Sequence, residues 1–134
     1  MNAECGVWNG EFAARGEDLK SRTRQFALRV IRLVETLPKS RTADVLGRQL
    51  LRAGTSVGAN YRAERRARSA AEFRAKLGIV EEEVDETGYW IELLVETGLV
   101  KSSLVESLLS ESSQLTAIII ASIKTSRRQN TSQS

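Results

Sequence analysis

The fold class predicted for this 134-residue chain is all-α, an up-down-up-down four-helix bundle, and three observations predict it. Apolar residues recur at spacings of three and four through four long stretches. Only short breakers separate those stretches, as in bundles of antiparallel neighbours. A single Pro, 5% aromatics and many Leu, Ala, Glu and Arg favour helix over sheet, because straight-chain residues lose little rotamer freedom in a helix. Residues 17–126 are expected to form the bundle, 1–16 a flexible N-terminal segment and 127–134 a flexible polar tail. No Gly/Ser linker or internal repeat marks a second domain.

The first helix is predicted over residues 17–37, with Leu19, Thr23, Phe26, Val30, Leu33 and Leu37 forming a narrow stripe that Pro38 ends. The second runs over 41–67, with Leu46, Leu50, Ala53, Val57 and Tyr61 on one face. Ser69 is a suitable N-cap for the third, and Glu72 three residues later completes a capping-box pattern. Phe73, Leu77, Val80, Val84, Thr87, Ile91 and Leu94 then alternate by four and three, which makes a heptad-like seam. Gly98 stands where a left-handed residue ends a helix, and Ser102 or Ser103 starts the fourth. That helix carries Leu104, Leu108, Leu115, Ile118, Ile119 and Ile123.

Several function classes are excluded by what the chain lacks. Cys5 is alone, so no intramolecular disulfide forms, which suits a reducing cytoplasm. The first residues do not join a basic segment to an apolar one as a secretory signal does. The most apolar run, 117–123, is short of the ~20 residues a bilayer crossing needs, so a soluble protein with no membrane partner is expected. The carboxylate run EEEVDE suggests metal, yet di-iron bundles pair Glu with His and this chain has no His. Without His the usual nucleophile–base pairs are missing too, and there is no glycine-rich phosphate loop. Neither a metal, a cofactor nor an enzymatic activity is expected.

Charge is distributed unevenly. Residues 1–76 hold 16 Lys/Arg against 8 Asp/Glu, a balance of +8, and residues 77–134 hold 4 against 9, a balance of −5. At 100° per residue, Arg41, Arg48, Arg52, Arg62 and Arg66 share one stripe of the second helix, opposite its apolar face. Arg65 and Arg68 flank it, and the density of RAERRAR favours contact with nucleic-acid phosphates. Pairing with Glu64 or with the acids Glu81, Asp85, Glu92 and Glu96 of the third helix would use the same arginines structurally. Gly47, Leu51, Gly54 and Gly58 line a third face, where close approach of another helix, of this chain or of a copy, offsets the glycine cost of about 0.5–1 kcal/mol each. Asn60 and Glu86 border apolar faces as register-setting polar groups, and Tyr89 and Trp90 suit a helix contact better than base stacking.

The motifs SVGANYRAERRARS, AEFRAKL and DETGYWIELLVETGLV resemble those of the bacterial four-helix-bundle family that includes proteins encoded in intervening sequences of 23S ribosomal RNA genes. The matching positions are Gly58, Asn60, Tyr61, Phe73, Leu77, Glu86, Tyr89, Trp90 and Leu93, within a likeness covering roughly residues 26–127. Family members resemble the accessory variability protein of diversity-generating retroelements, which implies a barrel-like homopentamer whose basic surface engages nucleic acid and a reverse transcriptase. Glu81, Glu82 and Glu83 depart from that pattern, because they make the third helix acidic. Two functions are therefore expected. One is a non-enzymatic oligomer holding RNA or DNA backbone through Arg41, Arg48, Arg52, Arg62, Arg65, Arg66 and Arg68. The alternative is a protein–protein scaffold whose charged stripes are paired at subunit contacts.

Overall fold

A computed structural model describes the backbone of residues 3–132 and the side chains of residues 18–128. Four helices follow in chain order: α1 (Ala3–Glu35), α2 (Arg41–Glu64), α3 (Ala70–Glu96) and α4 (Ser102–Ser132). Each packs on the next and α4 closes against α1, so the described residues form the all-α four-helix bundle. Neighbours run antiparallel: Gly54 meets Val30 and Gly47 meets Leu37 across α1–α2, and Arg74 reaches Ser126 while Ser112 reaches Val84 across α3–α4.

The helix boundaries depart from the periodicity in three places. α1 begins at Ala3 and not near residue 17, and α4 continues past 126. The expected flexibility of 1–16 and 127–134 falls mostly on residues whose side chains lie outside the described set. α2 stops at Glu64 because Arg66 and Ala67 donate three residues back, to Ala63 (3.1 Å) and Glu64 (2.9 Å). That tightening ends the four-residue ladder and turns the chain into a short connection, 65–69.

Capping follows the sequence closely. Ser40 Oγ accepts from Ala43 N–H and Ser69 Oγ from Glu72 N–H, each at 3.1 Å. Glu72 returns its carboxylate to the N–H of Arg68, one residue before the cap. After α3, Gly98 has φ +78°, Gly98 N–H bonds Val95 O, and Leu99 N–H bonds Leu94 O, both at 3.0 Å. This is the 6→1, 5→2 closure that requires a left-handed residue, so only glycine is unstrained at 98.

Phe26, Val30, Leu50, Val57, Leu77, Val80, Val84, Ile91, Leu94, Leu115 and Ile119 are fully buried. Each large member contributes roughly 1.5–3 kcal/mol by leaving water. α4 holds a surprise. Leu104, predicted as core, is 68% exposed, and the buried positions are Val105, Leu108, Ser112, Leu115, Ile119, Ser122 and Ser126. They alternate by three and four, so the seam is regular, but three serines occupy it. Their hydroxyls use nearby carbonyls or Arg74, as Ser122 does with Ile118 O at 2.9 Å. By length and composition Ser102–Arg128 is also apolar enough to cross a bilayer, which counting only 117–123 overlooked. In this fold its seam is the fourth wall of the core.

Candidate nucleic-acid interface

The arginine stripe of α2 does not act as one surface. Arg52 leaves it to reach α3, where it hydrogen-bonds Glu86 and lies 3.6 Å from Glu83. Trp90 Nε1–H donates to the same Glu86 oxygen at 3.2 Å, which makes Glu86 the hub of an α2–α3 network. Burial, then the neighbouring Glu86, raises the pKa of Glu83, and Arg52 opposes the rise. Arg48 pairs along its own helix with Asp44 at 2.7 Å, both side chains well exposed, an arrangement worth little in water. Glu81, Asp85, Glu92 and Glu96, the acids expected to meet α2, make no ion pair among the described residues; Glu83 and Glu86 meet Arg52 instead.

Arg41, Arg62, Arg66 and Arg68 remain exposed, and their side chains make no ion pair among the described residues. Arg65 lies close enough to Glu64 to lower its pKa, and the Arg68 backbone is tied to Glu72. Arg62 opens onto a cleft of about 230 Å³ between α1 and α2, whose other cations are Lys20 and Arg24. Thr23, Gly58, Ala59 and Tyr61 form the rest of its wall, so the lining has no carboxylate among the described residues. The apolar stripe of the first helix carries no signal for Lys20 and Arg24, which lie off it. They are one turn apart, and antiparallel pairing of α1 with α2 brings them beside Arg62. A second cleft, of about 480 Å³, lies at the opposite end of the same helix pair, with Lys39, Arg41 and Arg48 in its lining.

Two other α1 cations, Arg22 and Arg29, are engaged. Arg22 holds Glu111 of α4 through two hydrogen bonds and also reaches Gln114, and the bond to Glu111 raises its pKa. Arg29 donates to Ser107 at 2.8 Å.

The glycine face of α2 turns to α1 of the same chain. A Cβ on Gly54 would lie 2.7–2.9 Å from Val30, one on Gly47 would lie 3.0 Å from Leu37, and one on Gly58 would have 3.5 Å to Thr23 O. Leu51 and Asn60 are half-buried beside them. Tyr89 is 53% exposed and meets Trp90 edge-on, with ring centroids 5.1 Å apart.

Glu64, an expected i,i+4 partner for the arginines, is instead 1% exposed. It extends the α2 core stripe one turn beyond Tyr61, and neither of its carboxylate oxygens has a hydrogen-bond partner among the described residues. Burial raises its pKa to about 7, against the attraction of Arg65 and then Lys76. A wheel alone contains the signal, since Glu64 is in phase with Leu46, Leu50 and Val57.

Comparison with known proteins adds a family likeness to this geometry. A family model described as 23S rRNA-intervening sequence protein matches residues 17–121. The chain is also similar to the 1.70 Å crystal structure of a protein of unknown function from the S23 ribosomal protein family, from Bacteroides thetaiotaomicron VPI-5482. The two are 35% identical with a TM-score of 0.77, over 82% of this chain and 98% of that one. No curated protein matches.

Proposed function

Because the chain belongs to the family of 23S rRNA-intervening sequence proteins, we propose that it works without catalysis, as a cytoplasmic homo-oligomeric accessory protein that holds RNA or DNA backbone on its α1–α2 face. The observation that carries this reading is the open cleft where Lys20, Arg24 and Arg62 converge, with no carboxylate in the lining among the described residues. Three cations held by two packed helices neutralise phosphates and release their counterions, with little readout of base sequence. Arg66 adds a fourth exposed charge one turn beyond Arg62. A ring of copies, five by resemblance, multiplies such weak sites without new chemistry. A reverse transcriptase is the protein partner that the resemblance suggests.

Fluorescence anisotropy of a labelled single-stranded RNA against salt tests the reading. Replacing Arg24 and Arg62 by Ala is expected to lower the slope of log K on log salt by about 0.7 per residue lost. Arg52→Ala is expected to leave that slope unchanged, since Arg52 is held by Glu83 and Glu86. A flat salt response of the unmodified protein would sink the proposal.

A scaffold reading draws on a different observation. Glu82, Asp85, Tyr89, Glu92 and Glu96 are all exposed and line one stripe of α3 at spacings of three and four. This surface suits a basic partner, including the α1–α2 face of a second copy. Light scattering of a Glu92→Lys, Glu96→Lys variant separates the two: loss of assembly favours the scaffold, and an intact oligomer with unchanged RNA binding favours the α1–α2 site.

A further inference from the structure

The connection between α2 and α3 is held at its two ends by glutamates in opposite circumstances. At the α3 end, Glu72 accepts from the N–H of Arg68 at 3.2 Å and lies 3.2 Å from Lys76 Nζ. The first of these contacts, then the second, lowers the pKa of Glu72, so this clamp works ionised. At the α2 end, the carbonyl of Glu64 accepts from Ala67 N–H at 2.9 Å, while its side chain is packed in the core with no donor at either oxygen among the described residues. That clamp works neutral, because an ionised carboxylate without hydrogen bonds is costly in an apolar setting. The charges that face Glu64 are Arg65 on its own helix and Lys76 on α3, and Lys76 is already committed to Glu72. Tyr61, one turn back, is the buried titratable neighbour on α2. No described side chain of α1 or α4 is among the charges that shift it.

Residues 62–68 carry Arg62, which lines the α1–α2 cleft, and the exposed Arg66 four residues on, so the state of this turn bears on that surface. We propose that Glu64 is a proton-operated latch: protonated, it keeps the last turn of α2 and the connection 65–69 packed, and ionised, it leaves the core, loosens that turn and weakens polyanion binding by the adjoining arginines. The second half rests on the phosphate-binding reading above; the first does not. The carboxyl proton goes to solvent and no bond is made. Both clamps hold only in the pH window between the depressed pKa of Glu72 and about 7.

Hydrogen exchange of amides 61–69, with no polyanion present, decides the first half. Corrected for intrinsic exchange chemistry, protection in the unmodified protein is expected to fall on the order of 50-fold between about pH 5 and pH 8. Glu64→Gln and Glu64→Leu are both expected to flatten that fall, and the Leu variant covers the case in which a buried amide is itself poorly tolerated. The same pH dependence in all three proteins overturns the latch. Anisotropy with a uridine oligonucleotide decides the second half: the unmodified protein is expected to bind roughly 5–10-fold more weakly at about pH 8 than at about pH 6 in low salt, and the variants to change much less. Equal shifts in all three overturn the coupling. Absence of binding in all three overturns the phosphate reading and the coupling together, and the exchange result still decides the latch.

Discussion

Against α1, helix α2 presents Gly47, Gly54 and Gly58 and approaches until Val30 occupies the space of a side chain. Against α3 it presents Arg52, which joins Glu83, Glu86 and Trp90, and at its end it buries Glu64. The first contact is shaped by volume, since two backbones come close because side chains are missing. The second is shaped by charge, and its strength depends on which carboxylates are ionised. One helix therefore has a side that ignores pH and a side that responds to it. Arg62, Arg66 and Arg68, with Arg41 at the far end, take part in neither contact and stay exposed.

The largest expected effect lies on the charged side. The native pKa of Glu64, about 7, is above its ordinary value, so its contribution is fully present below about pH 4.5 and is lost as pH rises through about 7, with no further change above. A shift of this size corresponds to about 3 kcal/mol across that window. Urea denaturation of the unmodified protein and of Glu64→Gln, each at about pH 5 and about pH 8, is expected to show the gap between them widening in favour of Gln by that order. A constant gap would remove Glu64 from the pH response and leave both sides of α2 alike.

Much of this arrangement is legible in the sequence, for identifiable reasons. Four helices, the Ser69 cap, the Gly98 closure and the α3 seam follow from period and local chemistry, which need no knowledge of neighbours. The family likeness was equally legible, because SVGANYRAERRARS and DETGYWIELLVETGLV keep their residues in order. Partnership was not. Whether Arg52 faces solvent or Glu86 depends on the rotation of α2 relative to α3, and whether Lys20 and Arg24 join Arg62 depends on the register of α1 against α2. On α4 the expected Leu108, Leu115 and Ile119 are core and only Leu104 is exposed, because serines at 112, 122 and 126 do not register as core in a hydropathy pattern and leave its phase loosely set. Glu64 was misread because a Glu between arginines suggests a surface ion pair, although its phase on the helix points inward.

On the steric side the effect is smaller and has the opposite origin. Gly54→Ala places a methyl 2.7–2.9 Å from three atoms of Val30, a fully buried β-branched side chain with little freedom to turn away. Overpacking of this kind costs about 1–3 kcal/mol, and the better helix propensity of Ala returns up to about 1. A net loss of about 1–2 kcal/mol, equal at acid and alkaline pH in the same urea experiment, is the signature expected of this contact. A loss that varied with pH would mean that the α1–α2 and α2–α3 contacts are coupled.

Gly58 shares the face of Gly54 and supplies the smallest and sharpest check, because the sequence gives no reason to treat the two glycines differently. The Cβ of an alanine there meets Thr23 O at 3.5 Å, an ordinary van der Waals distance, and the backbone is helical. With no clash to oppose it, the smaller entropy of the unfolded chain and the better helix propensity of Ala should raise stability by about 0.5–1 kcal/mol. Opposite signs at positions 54 and 58, measured as shifts in the urea midpoint with unchanged m, would place the close approach of α1 and α2 at Val30. Equal destabilisation at both would mean that the helices stay in tight contact as far as Thr23, at the wall of the basic cleft, and that Gly58 keeps that cleft open for Lys20, Arg24 and Arg62.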